Sequence, residues 1–320
     1  MMNAEPANLS QDHPAPWDPT RSLRRVLFAS SSTQWPISAM LKADAFAQSL
    51  RAELLVLHVS NVRPSFRSLF RRSSGLDVLG ALEHLEKARA EALERCNYIL
   101  PNKVPSENLF IRSGDFAGAI QQTVSECGAD LIVIPPEQKG QGLLAMDLAM
   151  ATGVPVLIAR PPRSHNVVVG ATNLADSRYP VIRQVRQVSG LLGAQTLLMH
   201  NVAPVQLPGG LERGSMLLQV SSEQDVDSSA ARLAEVSRQL PRALKAVVKT
   251  ESNTAQAILE TARECDADLV VLGVAHPCSR FARLFGGGVP SRVAERAHRS
   301  ILLTPIAASS AAQATPLLQA

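Results

Sequence analysis

Short runs of consecutive aliphatic residues alternate along this chain with longer segments of helical periodicity. The runs carry no alternating polar residues, which is typical of strands buried on both faces of a parallel sheet. Between them, helices are predicted in segments such as 37–51, 228–238 and 291–298, and the first of these places apolar residues on one helical face. The predicted strands are 25–29, 54–59, 109–111, 131–134 and 154–159, followed by 167–171, 196–200, 246–248, 269–272 and 300–304. The pattern predicts an α/β fold with β-α-β-α-β-α-β-α-β order, repeated once.

The repetition is also visible in the residues themselves. Residues 126–134, ECGADLIVI, return 138 residues later as residues 264–272, ECDADLVVL. Ala29 with Ala171, and His58 with His200, recur at a spacing of 142. This period far exceeds the roughly 20–50 residues of solenoid and propeller repeats. Each copy is therefore expected to be a whole five-stranded domain with its own core.

The copies divide the chain into four expected segments. Two adjacent prolines, Pro161 and Pro162, mark the joint between the domains. We expect the aliphatic final strands, 156–159 and 301–304, to pair with each other as a pseudo-twofold pair, because an unpaired aliphatic edge would be exposed. The segments are a flexible N-terminal arm at 1–22, a first domain at 23–162, a second domain at 163–306 and a disordered tail at 307–320.

Composition narrows the function classes. A hydrophobic fraction of 46% and a charged fraction of 19% are ordinary for a soluble globular protein. No apolar run reaches the roughly 18–20 residues of a membrane span, and the N-terminus does not resemble a secretory signal. Four cysteines without CxxC spacing fit a reducing compartment. These features predict a cytoplasmic protein without transmembrane association.

The candidate chemistry lies in loops of the second half. In an open α/β sheet, ligands bind beyond the carboxyl ends of the strands. Glycines before a helix let backbone N–H groups approach an anion such as phosphate. The candidate cofactor-binding residues are Asn173, Gly273, His276, Gly286, Gly287 and Gly288. No metal site is predicted, because His276 and Cys278 alone are too few ligands. The strand-end histidines His58 and His200 are expected to be hydrogen-bonded within the loop layer.

Both copies resemble the universal stress protein family, in its tandem form with two UspA-like domains. The resemblance is carried by residues 167–172, VVVGAT, with Pro180, by residues 268–273, DLVVLG, and by the segment from Gly287 to Thr304. It implies Rossmann-like domains of the adenine nucleotide alpha hydrolase-like fold. It also implies pairing of the two domains within the chain, and tandem chains of the family can pair again as homodimers.

ATP-binding members of this family carry the motif G-x2-G-x9-G-(S/T), and the second copy departs from it. Gly273 matches the first glycine, but His276 stands where the second should be. The next glycine is Gly286 or Gly287, and Gly287 or Gly288 replaces the hydroxyl residue. Asn173 replaces the acidic residue that such members place near adenine and ribose. The resemblance therefore implies a degenerate nucleotide site in the second domain.

The first copy departs further from the nucleotide-binding pattern. Pro135 follows the fourth strand where Gly273 stands in the second copy, and Ser31 stands at the position of Asn173. Proline removes a backbone N–H from the turn that phosphate would approach. The first domain is predicted to bind no nucleotide.

One basic loop belongs to the first copy alone. Its arginines alternate with phenylalanines and it contains no acidic residue, a composition that can hold phosphates and stack on bases. A solvated, mobile loop is the favoured interpretation. The alternative is an anionic-partner contact with a protein, a nucleic acid or a membrane surface, among which nucleic acid is not favoured. The loop arginines are Arg63, Arg67, Arg71 and Arg72.

Together these features predict a cytoplasmic, non-enzymatic stress-response protein that binds an unidentified protein partner and requires no cofactor. The first alternative is a switch that binds ATP or AMP through the second domain and hydrolyses it slowly. The second alternative is a binder of nucleic acid or another anionic partner through the loop from Arg63 to Arg72.

Overall fold

The computed structural model describes most of both halves of the chain. The predicted arm at 1–22, the tail at 307–320 and the arginine-rich loop lie outside the described residues. The described residues are 23–31, 35–60, 76–136, 140–162, 166–174, 180–207, 218–220, 223–275 and 288–306.

The two halves carry the same series of strands and helices, except that the second half has two further short strands. In the first half these are β1 (Arg25–Ser30), α1 (Ile37–Leu50), β2 (Glu53–Ser60), α2 (Leu76–Ile99), β3 (Leu109–Ser113), α3 (Phe116–Cys127), β4 (Leu131–Ile134), α4 (Gln141–Thr152) and β5 (Val156–Ile158). In the second half they are β6 (Val167–Ala171), α5 (Pro180–Leu192), β7 (Gln195–Asn201), β8 (Val205–Leu207), β9 (Leu218–Val220), α6 (Glu223–Ser237), β10 (Val247–Lys249), α7 (Thr254–Glu264), β11 (Leu269–Ala275), α8 (Gly288–Arg296) and β12 (Ser300–Ile306).

Ten of the strands form one continuous sheet, in the order β10-β7-β6-β11-β12-β5-β4-β1-β2-β3. Every pair within a half is parallel, and the halves join through the antiparallel pair β12 and β5, with Leu302 opposite Leu157. The predicted fold and the pairing of the final strands are confirmed. Because each half has its fourth strand beside its first, the strand order reverses between β1 and β4 and between β6 and β11.

The central parts of the strands are apolar, as expected for a sheet that helices cover on both faces. One buried cluster lies under α3, α4, α7 and α8 and includes Ile120, Leu148, Ile258 and Val293. The other lies under α1, α2, α5 and α6 and includes Met40, Cys96, Val185 and Leu233. Both clusters contain residues of both halves, so the core continues across the joint.

The sequence pattern missed one element and misplaced two starts. The strands β8 and β9 form a separate antiparallel hairpin that was not predicted, although VQL and LQV each alternate apolar and polar residues. Helix α6 begins at Glu223 rather than near Ser228 and therefore has acidic residues in its first turn. Their negative charges stabilise the helix by interacting with the partial positive charge of its N-terminus. Helix α8 begins at Gly288 rather than Ser291.

The duplicated segments also begin their helices in the same way. Asp115 precedes α3 and its carboxylate accepts a hydrogen bond from the Gly118 N–H at 2.7 Å. Asn253 precedes α7 and its side-chain oxygen accepts from the Gln256 N–H at 3.2 Å. Such caps satisfy N–H groups that have no partner within the helix. Within the described residues, no helix is long and apolar enough to cross a bilayer.

Candidate functional site

A cavity of about 270 Å³ opens at the carboxyl ends of the strands of the second half. It lies where the strand order reverses, between β6 and β11, which is where open α/β sheets bind ligands. Its volume is just below the roughly 300–1,000 Å³ of pockets that enclose drug-sized ligands. Its lining residues are Ala171, Thr172, Asn173, Val181, Met199, His200, Asn201, Thr254, Ile258, Leu272, Gly273, Val289, Pro290 and Ile306.

Most of the wall is apolar, and the polar groups gather at the ends of β6 and β7. None of the described lining residues is an acid, a lysine or an arginine. Such a lining suits a flat, largely uncharged group that needs a few directional hydrogen bonds.

His200 is held in one orientation at this polar end. Its Nδ1 lies 2.8 Å from the backbone oxygen of Thr172, and because that oxygen can only accept, Nδ1 carries the proton. In the neutral ring Nε2 is then a hydrogen-bond acceptor. The prediction that this strand-end histidine is hydrogen-bonded in the loop layer is confirmed.

Asn201 joins the end of β7 to the start of α7. Its Nδ2 donates to the backbone oxygen of Glu251 and to Thr254 Oγ1, both at 2.9 Å, and its Oδ1 accepts from the Glu251 N–H at 3.0 Å. These bonds fix the loop that carries Thr254 to the cavity wall. The start of α7, which carries a partial positive charge, therefore lies beside the cavity.

The loop after β6 has an unusual backbone. Leu174 has φ of 57°, a left-handed value that is uncommon for a residue with a branched side chain. Its side chain is buried, and its N–H donates to Thr172 Oγ1 at 3.1 Å. The burial and this bond hold the turn that presents Asn173 to the cavity.

Packing requires glycine at position 273 whether or not a phosphate binds there. A Cβ at this position would lie 2.9 Å from Val181 Cγ2 and 3.3 Å from Ile306 Cδ1. The missing side chain therefore permits close packing of α5 and β12 against β11. Gly288 has φ of 69° and opens α8.

Among the predicted cofactor-binding residues, Asn173 and Gly273 line the cavity together. His276, Gly286 and Gly287 lie outside the described residues, as do Arg63, Arg67, Arg71 and Arg72. Sequence reasoning did not assign Asn201, Thr254 or Val289 to the site. The sequence could have indicated these residues, because they lie at the end of a predicted strand and at the starts of predicted helices.

In the first half, an aromatic side chain lies against the histidine that corresponds to His200. Trp35 stacks on His58, with ring centroids 5.1 Å apart and planes inclined by 16°. His58 corresponds to His200, but its buried Nδ1 has no hydrogen-bond partner among the described residues. The hydrogen bond expected for this strand-end histidine is therefore not made by Nδ1 within the described residues. Burial, with a smaller contribution from Arg95, lowers the pKa of His58.

The half-buried cysteines at the repeated positions are weak nucleophiles. Burial raises the pKa of both Cys127 and Cys265, so little thiolate forms near neutral pH. Among the described residues, no group of three or more histidine, cysteine or acidic side chains could hold a metal ion.

The open sheet with a cavity at its reversal point defines a doubly wound α/β protein, and comparison with known proteins shows which family it resembles. Residues 164–305 match the model of the Universal stress protein family. The second half of the chain thus matches this family, which confirms the resemblance. A search of curated protein sequences finds no match.

Solved structures extend the likeness of fold to both halves. A universal stress protein from Archaeoglobus fulgidus DSM 4304 is 11% identical, and the alignment covers 89% of this chain and 97% of that chain with a TM-score of 0.56. A putative universal stress protein from Pseudomonas aeruginosa UCBPP-PA14 is 14% identical, with 89% and 94% covered and a TM-score of 0.56. A functionally unknown protein from Pseudomonas aeruginosa PAO1 is 15% identical, with 89% and 93% covered and a TM-score of 0.55.

Proposed function

We propose that this chain is a cytoplasmic, non-enzymatic stress-response protein whose second domain binds a single adenine nucleotide or nucleoside. The observation that carries the proposal is the 270 Å³ cavity at the strand-order reversal of the second half, in contrast with the Trp35–His58 stack at the corresponding place in the first half. The proposed domains are residues 23–162 and 163–306, and only the second is a ligand site.

The cavity suits the nucleoside part of the ligand. A base can lie between apolar side chains such as Val181 and Ile258, while Asn173, His200 and Asn201 offer hydrogen-bonding groups at the rim. The first turns of α7 and α8 would lie on the side where a phosphate group is best accommodated. An amide at Asn173 can both donate and accept, so it can still bind a ribose hydroxyl in place of a carboxylate.

The ligand is proposed to act as a signal rather than as a substrate. The described lining contains no carboxylate that could act as a general base and no cluster that could hold a metal ion. Binding would instead favour one arrangement of the loops at the cavity rim, and an unidentified protein partner would recognise that arrangement.

The proposal is tested on the full chain by two measurements. Mass spectrometry of small molecules released from the denatured protein shows what the protein carries after purification. Equilibrium dialysis with AMP, and with ATP and Mg²⁺, then measures affinity, and released phosphate measures hydrolysis. We expect bound adenine nucleotide or nucleoside and no hydrolysis above the rate without protein.

A matched pair of substitutions assigns the binding to one half. Val289→Trp puts an indole into the cavity from the first turn of α8 and is expected to abolish binding. Leu143→Trp makes the same change in the first turn of α4 and is expected to leave the affinity unchanged. Absence of adenine ligands at millimolar concentration, loss of binding in Leu143→Trp alone, or steady hydrolysis by the wild type would overturn the proposal.

A further inference from the structure

One polar atom of the second-half cavity takes no part in holding the fold together. The His200 Nδ1 donates to the backbone oxygen of Thr172 at 2.8 Å, whereas Nε2, on the other side of the ring, has no hydrogen-bond partner in the described part of the chain. The His200 side chain lines the cavity and is only partly buried. A ligand in the cavity therefore meets an unused lone pair on this ring.

The other polar groups of the lining are either occupied or able to act in both senses. The Asn201 amide already makes three hydrogen bonds within the chain. The hydroxyl groups of Thr172 and Thr254 and the amide of Asn173 can each donate or accept. Nε2 of the neutral His200 ring can only accept, because the bond from Nδ1 to Thr172 fixes the tautomer. Among the described lining residues, His200 is therefore the side chain best able to distinguish a donor from an acceptor on the ligand.

His200 also lies at the end of the cavity that a nucleotide base would reach. Successive side chains of β7 point to opposite faces of the sheet. Leu198 belongs to the buried cluster under α5 and α6, and Met199 belongs to the cluster under α7 and α8. His200 follows the alternation and lies on the α5 side, across the strand ends from the starts of α7 and α8. A nucleotide with its phosphate at those helix starts would extend its base towards His200.

We propose, on the basis of the nucleotide site proposed above, that His200 selects the base by accepting a hydrogen bond at Nε2 from the 6-amino group of adenine. A purine with an oxygen at C6, such as hypoxanthine or guanine, sets an acceptor against an acceptor. Reversing the tautomer to suit that oxygen would break the bond to Thr172. Because a polar group that leaves water without gaining a partner weakens binding, the site favours 6-aminopurines over 6-oxopurines.

The preference is measured by equilibrium dialysis of the full chain with AMP and with IMP, which differ only in the base. The wild type should bind AMP at least about tenfold more tightly than IMP. Purine riboside monophosphate has hydrogen at C6, so it supplies neither the donor nor the opposing acceptor, and its affinity should lie between the two. A ribose hydroxyl at Nε2 would make the same bond in all three ligands and would give no preference.

A matched pair of substitutions assigns the preference to one histidine. His200→Phe removes Nε2 but keeps a flat ring, and should bring the AMP and IMP affinities to within about twofold of each other. His58→Phe makes the same change at the corresponding position of the first half and should retain the wild-type preference. Circular dichroism verifies the fold of each variant. If His200→Phe does not fold, His200→Gln replaces it, because its amide can donate or accept and should also reduce the preference.

The outcomes separate the role of His200 from the nucleotide function. Equal affinities of the wild type for AMP and IMP, tighter binding of IMP, or a preference that persists in the folded His200 variant would overturn the role of His200 and leave the nucleotide function standing. Absence of binding of all three ligands would overturn the proposed function, and the selection of the base with it.

Discussion

The ammonium group of Lys42, on α1 of the first half, lies 3.1 Å from Oδ2 of Asp268 in the second half and donates to Ser300 Oγ at 2.8 Å. The Lys42 side chain is only 6% exposed. Burial lowers its pKa, and the attraction of Asp268 partly offsets this effect. A buried charge thus joins the two halves beside the antiparallel β5–β12 pair.

Removing one partner of this pair should destabilise the chain. Lys42→Met removes the ammonium group from the Asp268 carboxylate in a site that is largely closed to water, and we expect a loss of about 3 kcal/mol in the free energy of unfolding. The double variant Lys42→Met/Asp268→Asn should lose less than the sum of the two single variants. Urea unfolding of the four proteins measures the coupling. Additive losses would mean that the pair contributes nothing to the joint.

The packing of α4 against α8 should be sensitive to one methyl group. A Cβ on Gly142 would lie 2.4 Å from the backbone oxygen of Ser291, so Gly142→Ala forces the helices apart and should cost about 1–3 kcal/mol. Gly190 in α5 is the matched control, because its Cβ would meet nothing within 4 Å. Gly190→Ala should stabilise the chain by about 0.5–1 kcal/mol through helix propensity. Equal effects of the two substitutions in thermal unfolding would contradict the close contact between α4 and α8.

The Trp35–His58 stack predicts a pH dependence of stability. Because the pKa of His58 is lower in the folded chain than its usual 6.5, the unfolded chain binds the proton more readily. This contribution to stability is therefore present above pH 6.5 and is lost as the pH falls from there towards the folded pKa. His58→Phe retains an aromatic partner for Trp35 and should lose less stability between pH 7.5 and pH 5 than the wild type.

The control for that measurement is His298→Gln, which removes an exposed histidine, so that a profile altered only in His58→Phe assigns the effect to His58. Thermal unfolding at matched ionic strength gives both profiles. A His58→Phe profile that coincides with that of the wild type would show that His58 titrates alike in the folded and unfolded chains.

Much of the fold could be predicted because the strands are buried on both faces. A run of four aliphatic residues such as Leu131–Ile134 predicts a buried strand. The repeat strengthens this prediction, because each run has a counterpart in the other half of the chain. The aliphatic composition of β5 and β12 even predicted their pairing, since only a strand partner satisfies such an edge.

The site was less predictable, for a physical reason. Its polar groups come from segments far apart in sequence, so Asn201 and Thr254 meet only after β7 and α7 are placed side by side. Gly273 resembled a phosphate-loop glycine in sequence, yet a Cβ there would collide with Val181. A phosphate-binding motif and close packing can both require glycine. Only the residues that surround it in the structure show which requirement applies. The Trp35–His58 stack likewise depends on an orientation that no residue spacing encodes.

The central claim is that a duplicated fold retains one ligand site, in its second half. Isothermal titration calorimetry of the full chain with AMP tests it directly, because the method counts sites as well as measuring affinity. We predict one AMP per chain, with the binding heat lost in Val289→Trp and retained in Trp35→Ala. Two sites per chain, no binding heat at all, or one site that survives Val289→Trp would contradict the claim.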